Sequence, residues 1–98
     1  MGGFKQRIRG NKHSILHGLY PLVDDLDRTF GEENVYTGYI RKISRTGHEI
    51  RVRPKYFDPR RRWYILQVKK GSGLQYFYLK LDETRVPEIE QFAKKYPR

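Results

Sequence analysis

Residues 50–81 read IRVRPKYFDPRRRWYILQVKKGSGLQYFYLKL, and their period decides the fold. Ile50, Val52, Pro54 and Tyr56 alternate with Arg51, Arg53 and Lys55. Alternate residues of a strand point to opposite faces, so the pattern predicts a strand with one apolar and one cationic side. Pro54 lacks the N–H that a central strand needs, which predicts an edge strand or one ending near that residue. Residues 57–62 read as a loop. Residues 63–69 and 74–81 are rich in aromatic and branched side chains, and the turn residues Lys70-Gly71-Ser72-Gly73 between them predict a hairpin.

Outward from this stretch, residues 35–44 carry Val, Tyr, Thr and Ile, and Thr46-Gly47 predicts a turn joining them to Ile50 as another hairpin. Earlier in the chain, Val23, Leu26 and Phe30 recur at helical spacing between Pro21 and Gly31, predicting a helix over about residues 20–30. Asp24, Asp25 and Asp27 are then expected on its surface, where the helix dipole favours acids in the early turns. Val86, Ile89, Phe92, Ala93 and Tyr96 predict a closing helix with Pro87 in its first turn. The expected architecture is α+β: a four-stranded antiparallel meander with an N-terminal and a C-terminal helix packed on one face. Residues 1–18, with spaced bases and glycines, read as a basic N-terminal arm, and residues 19–98 as a single domain.

The chain has 98 residues, enough for one core. It has no Cys, which excludes disulfides, thiolate metal sites and Cys nucleophiles. No apolar run approaches the ~20 residues of a membrane span, so a soluble, cytoplasmic protein with no membrane partner is expected. The scarcity of Asn and Met beside abundant Arg, Lys and Tyr is compatible with a thermophile.

Lys and Arg number 21 against 11 Asp and Glu, a net charge of +10. From 51 to 70 there are eight bases and one acid, Asp58, so most of the excess lies in one segment. If the helices cover Ile50, Val52, Tyr56, Tyr64, Leu66, Val68, Phe77, Leu79 and Leu81, the other face must display Arg51, Arg53 and Lys55. Beside them come Trp63, Ile65, Gln67 and Lys69, then Tyr76, Tyr78 and Lys80. A first strand that buries Tyr36 and Ile40 adds Tyr39 and Arg41.

Cations that neutralise phosphates, interleaved with rings on which bases stack, are what a single-stranded nucleic acid requires. The expectation is a non-enzymatic nucleic-acid-binding protein, with RNA ahead of DNA and a ribosomal or other ribonucleoprotein setting. The candidate residues are Arg51, Arg53, Lys55, Arg60, Arg61, Arg62, Trp63, Lys69, Lys70, Tyr76 and Tyr78. The same surface also suits an adaptor for an acidic protein partner.

Two other chemistries compete. His13 and His17 are four residues apart, the spacing of a helical metal pair, although Gly18 and Pro21 argue against a continuous helix there. Asp58, Gln67 and Lys69 echo a nuclease carboxylate set, but Gln67 stands where a carboxylate is needed, so no catalytic residue is assigned. The segments His13-Ser14, Gly18-Leu19 with Pro21, and Lys69-Lys70-Gly71 through Gln75-Tyr76-Phe77 resemble a small uncharacterised prokaryotic family described as predicted metal-binding. That resemblance implies His13 as a ligand, does not carry over to His17, and implies no activity. No cofactor is otherwise expected.

Overall fold

The computed structural model describes residues 15–41 and 47–98. Helix α1 spans Tyr20–Phe30, with Pro21 in its first turn, where a missing N–H costs nothing. Leu22, Val23, Leu26 and Phe30 form its buried stripe. It stops at Gly31, whose φ of 94° favours glycine and whose N–H donates to Asp27 O at 2.9 Å. Asp27 falls on the buried stripe between Val23 and Phe30, a correction to its expected surface position. Asp25 does face outward and accepts from Lys95 Nζ at 3.0 Å.

Four strands follow, β1 Val35–Arg41, β2 Ile50–Asp58, β3 Trp63–Lys70 and β4 Gly73–Lys80, and then helix α2 Val86–Ala93. They form one antiparallel sheet, so the predicted α+β class with two helices holds. The order across the sheet is β1-β4-β3-β2. The hairpin expected between β1 and β2 is therefore absent. In a simple meander β2 would be central, yet Pro54 cannot donate to a second neighbour; placing β2 at the edge removes the conflict. β1 pairs with β4 instead, giving a Greek-key order.

Gly47, ahead of β2, lies against the β3–β4 turn. Gly47 O accepts from Lys70 Nζ at 2.7 Å, and a Cβ on Gly47 would lie 2.8 Å from Gly71 Cα. Glycine is thus required for the close approach.

Both helices contribute to one core on one face of the sheet. Leu22, Leu26 and Phe30 of α1 and Ile89, Phe92 and Ala93 of α2 cluster with Val35, Val52, Leu66, Val68, Phe77 and Leu79. Ile15 and Leu16 are also buried in it, although sequence assigned residues 1–18 to an arm. Leu16 N–H donates at 2.9 Å to Oε1 of Gln75, which is fully buried on β4. The packed domain therefore includes residues from Ile15 onward. Two apolar residues and one satisfied backbone donor explain why this segment docks.

Two irregularities re-phase the strands. In β2 the register shifts between Pro54, opposite Leu66, and Tyr56, opposite Ile65. Tyr56, expected in the core, is turned out and is 58% exposed, while Phe57 takes the inward position with its ring 6.0 Å from that of Tyr64. The strand consequently continues to Asp58, through residues expected in a loop. In β1 a shift between Thr37 and Ile40 leaves Ile40 packed on the core and places Tyr36, opposite Tyr78, on the other face. Tyr36 there packs edge to face against the Trp63 ring, 5.0 Å away.

Candidate nucleic-acid interface

Side-by-side pairing defines row by row the face of the sheet that bears no helix among the described residues, its helix-free face. At one end Arg51 lies opposite Lys69, which lies opposite Leu74, which lies opposite Arg41. Next come Arg53, Gln67 and Tyr76. The third row is Tyr56, Ile65, Tyr78 and Tyr36. The last row holds Asp58, Trp63 and Lys80. Alternation in β3 and β4 alone assigns all the polar and aromatic members of the two central strands.

The rings touch one another edge to face. Trp63 lies 5.0 Å from Tyr36 at 82° and 5.8 Å from Tyr78 at 64°. Tyr39 and Tyr76 are 6.0 Å apart at 64°. Such pairs fix the rings; Tyr36 is buried, Trp63, Tyr76 and Tyr78 are part-exposed and Tyr39 is 54% exposed. Gly38 has no room for a side chain, since a Cβ there would sit 2.9 Å from the Tyr78 ring. The platform thus continues without interruption onto β1.

No family model, curated protein or solved structure matches this chain. The functional reading rests on the face itself.

Of the sequence-predicted residues, the structure brings Arg51, Arg53, Trp63, Lys69, Tyr76 and Tyr78 onto this face. Lys55 stands exposed at the β2 bulge. Arg60, Arg61 and Arg62 are exposed in the turn that borders Trp63. Lys70 is not brought in: its Nζ is engaged by Gly47 O, and its stem lies where a Cβ of Gly18 would approach within 2.7 Å. Among the described residues no carboxylate lies within ion-pairing reach of Arg53, Lys55, Arg60, Arg62, Lys69 or Lys80. Arg51 is 3.5 Å from Glu49 in an exposed pair, which screening weakens. Tyr36 and Tyr56 were missed as members of the face. Pro54 was the available signal for Tyr56, because a proline within a strand favours a bulge that reverses the alternation after it.

The arginine turn is internally built. Asp58 Oδ1 accepts from Arg60 N–H at 3.0 Å and Arg61 N–H at 3.4 Å, while Arg62 N–H donates to Asp58 O at 2.7 Å. Arg62 has φ 59°, a left-handed conformation that a non-glycine residue adopts at a cost. The one acid of the basic segment thereby shapes the turn that presents three guanidinium groups.

Beside Arg51, a cleft of about 380 Å³ is lined by Arg53, Gln67, Lys69, Gly71 and Arg98. The backbone beyond α2 closes over this edge: Val52 N–H donates to Pro97 O at 2.8 Å and Arg51 donates to Arg98 O at 3.0 Å. On the opposite side of the sheet, Tyr64 OH donates to Glu90 Oε2 at 2.8 Å. Burial, then that hydrogen bond and the Glu90 charge, push the Tyr64 hydroxyl up to about 12, against a lowering by Arg98.

His13, the ligand implied by the family resemblance, lies outside the described residues. His17 is exposed, and among the described residues no group of three or more His, Asp or Glu could hold a metal ion. Asp58 and Gln67 stand at different rows of the sheet, beside Trp63 and Arg53 respectively. No helix among the described residues is long and apolar enough to cross a membrane.

Proposed function

We propose that this protein binds single-stranded RNA on the helix-free face of its sheet, as a binding module without catalysis. The observation that supports this most is the joining of two ring clusters, Tyr36–Trp63–Tyr78 and Tyr39–Tyr76, on a surface with Arg41, Arg51, Arg53, Lys69 and Lys80 around them. Unpaired bases stack on rings, each such stack worth roughly 1–3 kcal/mol, and the cations neutralise the phosphates between them. A four-stranded sheet face is too broad to enter the deep, narrow major groove of an RNA duplex, so bases already splayed from a helix are the matching ligand. Ribosomal or other ribonucleoprotein RNA presents such bases in loops.

Fluorescence anisotropy with a labelled single-stranded RNA, titrated at rising salt, tests the reading. Affinity falls with salt, and the double variant Arg51→Ala/Arg53→Ala binds more weakly with a shallower salt slope. Salt-independent binding, or a double variant indistinguishable from the parent, removes the electrostatic basis. Competition by an acidic peptide with no RNA binding assigns the face to an acidic protein partner instead.

A further inference from the structure

On the two central strands the cations of the helix-free face stand at opposite ends, Lys69 at one and Lys80 at the other, while Arg53 and Lys55 lie between them on the β2 edge. Arg51 and Lys69 are directly paired at one end, with Arg41 beside Leu74 in the same row. At the other end Lys80 is paired with Trp63, and Arg60 and Arg62 project from the adjoining turn. Between the ends two rings follow one another along β4, Tyr76 and then Tyr78, each meeting a ring on a neighbouring strand, Tyr39 and Trp63 respectively. Ile65 and Gln67 fill the β3 side of the middle rows and bring no charge.

We infer that the bound RNA lies along β3 and β4, from the Arg51–Lys69 end to the Arg60–Arg62 turn, and is held at both ends by separate cation clusters. This rests on the function proposed above and adds the direction and length of the ligand. From Trp63 to Lys69 the strand rises about 20 Å, at about 3.3 Å per residue. At about 3.4 Å per nucleotide, the rise of one strand of a duplex, this length accommodates at most about six nucleotides, and fewer where bases leave their own stack for the rings. A strand running crosswise would have its ends over Tyr39 and Tyr56, with Arg53 and Lys55 at one edge only, and the end clusters would touch only its flank.

The test uses hexauridylate with 4-thiouridine at its first or its last position, crosslinked to the full chain and mapped by mass spectrometry. Crosslinks confined to residues 59–63 and 69–74 support the lengthwise track. Crosslinks at Tyr39 and Tyr56 overturn it in favour of a crosswise one, and crosslinks spread over the whole face overturn any fixed track. A length series with two, four, six, ten and fifteen uridines supplies the second measurement: affinity per site rises to about six and then levels. A further rise of tenfold or more between six and fifteen overturns the footprint while leaving RNA binding intact. Failure of every length to bind overturns the function itself.

Discussion

The indole of Trp63 on β3 reaches past β4 to meet the ring of Tyr36 on β1, with centroids 5.0 Å apart and planes at 82°. Together with the Trp63–Tyr78 pair, this ties three strands on the face that no helix covers. An aromatic pair contributes about 0.5–1.5 kcal/mol beyond burial, so Trp63→Ala is expected to destabilise by about 1–3 kcal/mol through the two pairs, while Trp63→Phe retains part of that stability. Urea denaturation followed by far-ultraviolet circular dichroism measures both; equal stability of Trp63→Ala and the parent contradicts the ring packing.

Adjacent lysines have opposite roles. Lys69 is exposed on the ring face, whereas Lys70 donates to Gly47 O and holds that residue against the β3–β4 turn. Lys70→Met, which keeps the stem, is expected to destabilise by about 1.5–3 kcal/mol, the range for a hydrogen bond involving a charged group, and to leave the salt slope of RNA binding unchanged. Lys69→Met is expected to flatten that slope by about 0.7 for the one phosphate that it no longer neutralises and to leave stability unchanged. Measuring both variants by both methods checks the assignment, and interchange of the two outcomes contradicts the strand register.

High pH addresses the other side of the sheet. The Tyr64 hydroxyl, ordinarily near 10, is pushed up to about 12 by burial and by Glu90, so the folded state holds this proton more tightly than the unfolded chain. The stabilisation it brings is complete below pH 10 and is lost as pH rises from 10 through 12. Tyr96, also raised by burial and then by Asp25, adds to the loss above pH 10. Tyr64→Phe is expected to show a smaller decline in stability across pH 10–12 than the parent. Thermal melts at half-unit intervals give the comparison, and parallel declines contradict the role of Tyr64.

Arg62 joins the arginine turn in a left-handed conformation, φ 59°, that costs an L residue about 1–2 kcal/mol. Glycine adopts it freely but enlarges the unfolded ensemble, an offset of about 0.4–1 kcal/mol. Arg62→Gly is therefore expected to match the parent's stability or exceed it by up to about 1 kcal/mol. RNA affinity is expected to fall as one end cluster is left with fewer cations. A loss of stability above 1 kcal/mol indicates that the Arg62 side chain supports the turn.

The helices and the alternation of β3 and β4 were legible because they depend on local signals. Pro21, Gly31 and Pro87 mark helix ends, and Tyr64, Leu66 and Val68 alternate without interruption against Trp63, Ile65, Gln67 and Lys69. The partner of β1 was less accessible, since Thr46-Gly47 looks like a hairpin turn when the neighbouring strands are considered alone. Pro54 held the contrary information: its missing N–H keeps β2 at the edge and leaves the side of β4 to β1. Alternation also failed beyond each bulge. One extra residue between Pro54 and Tyr56 turns Tyr56 away from the face of Val52, and one between Thr37 and Ile40 puts Tyr36 and Ile40 on opposite faces. Gln75 and Leu16 depend on each other across the fold, through a buried hydrogen bond that neither segment announces alone.

Trp63 is the chain's single tryptophan and lies within the proposed RNA surface, so its emission reports directly on that surface. Titration of the protein with hexauridylate, following Trp63 fluorescence and anisotropy together, is expected to give saturable quenching in step with binding. Both signals are expected to weaken as salt is raised, with log affinity falling by about 0.7 per phosphate neutralised against log salt. Binding seen by anisotropy with unchanged Trp63 emission, or no binding by either signal, contradicts the placement of RNA on the ring-bearing face.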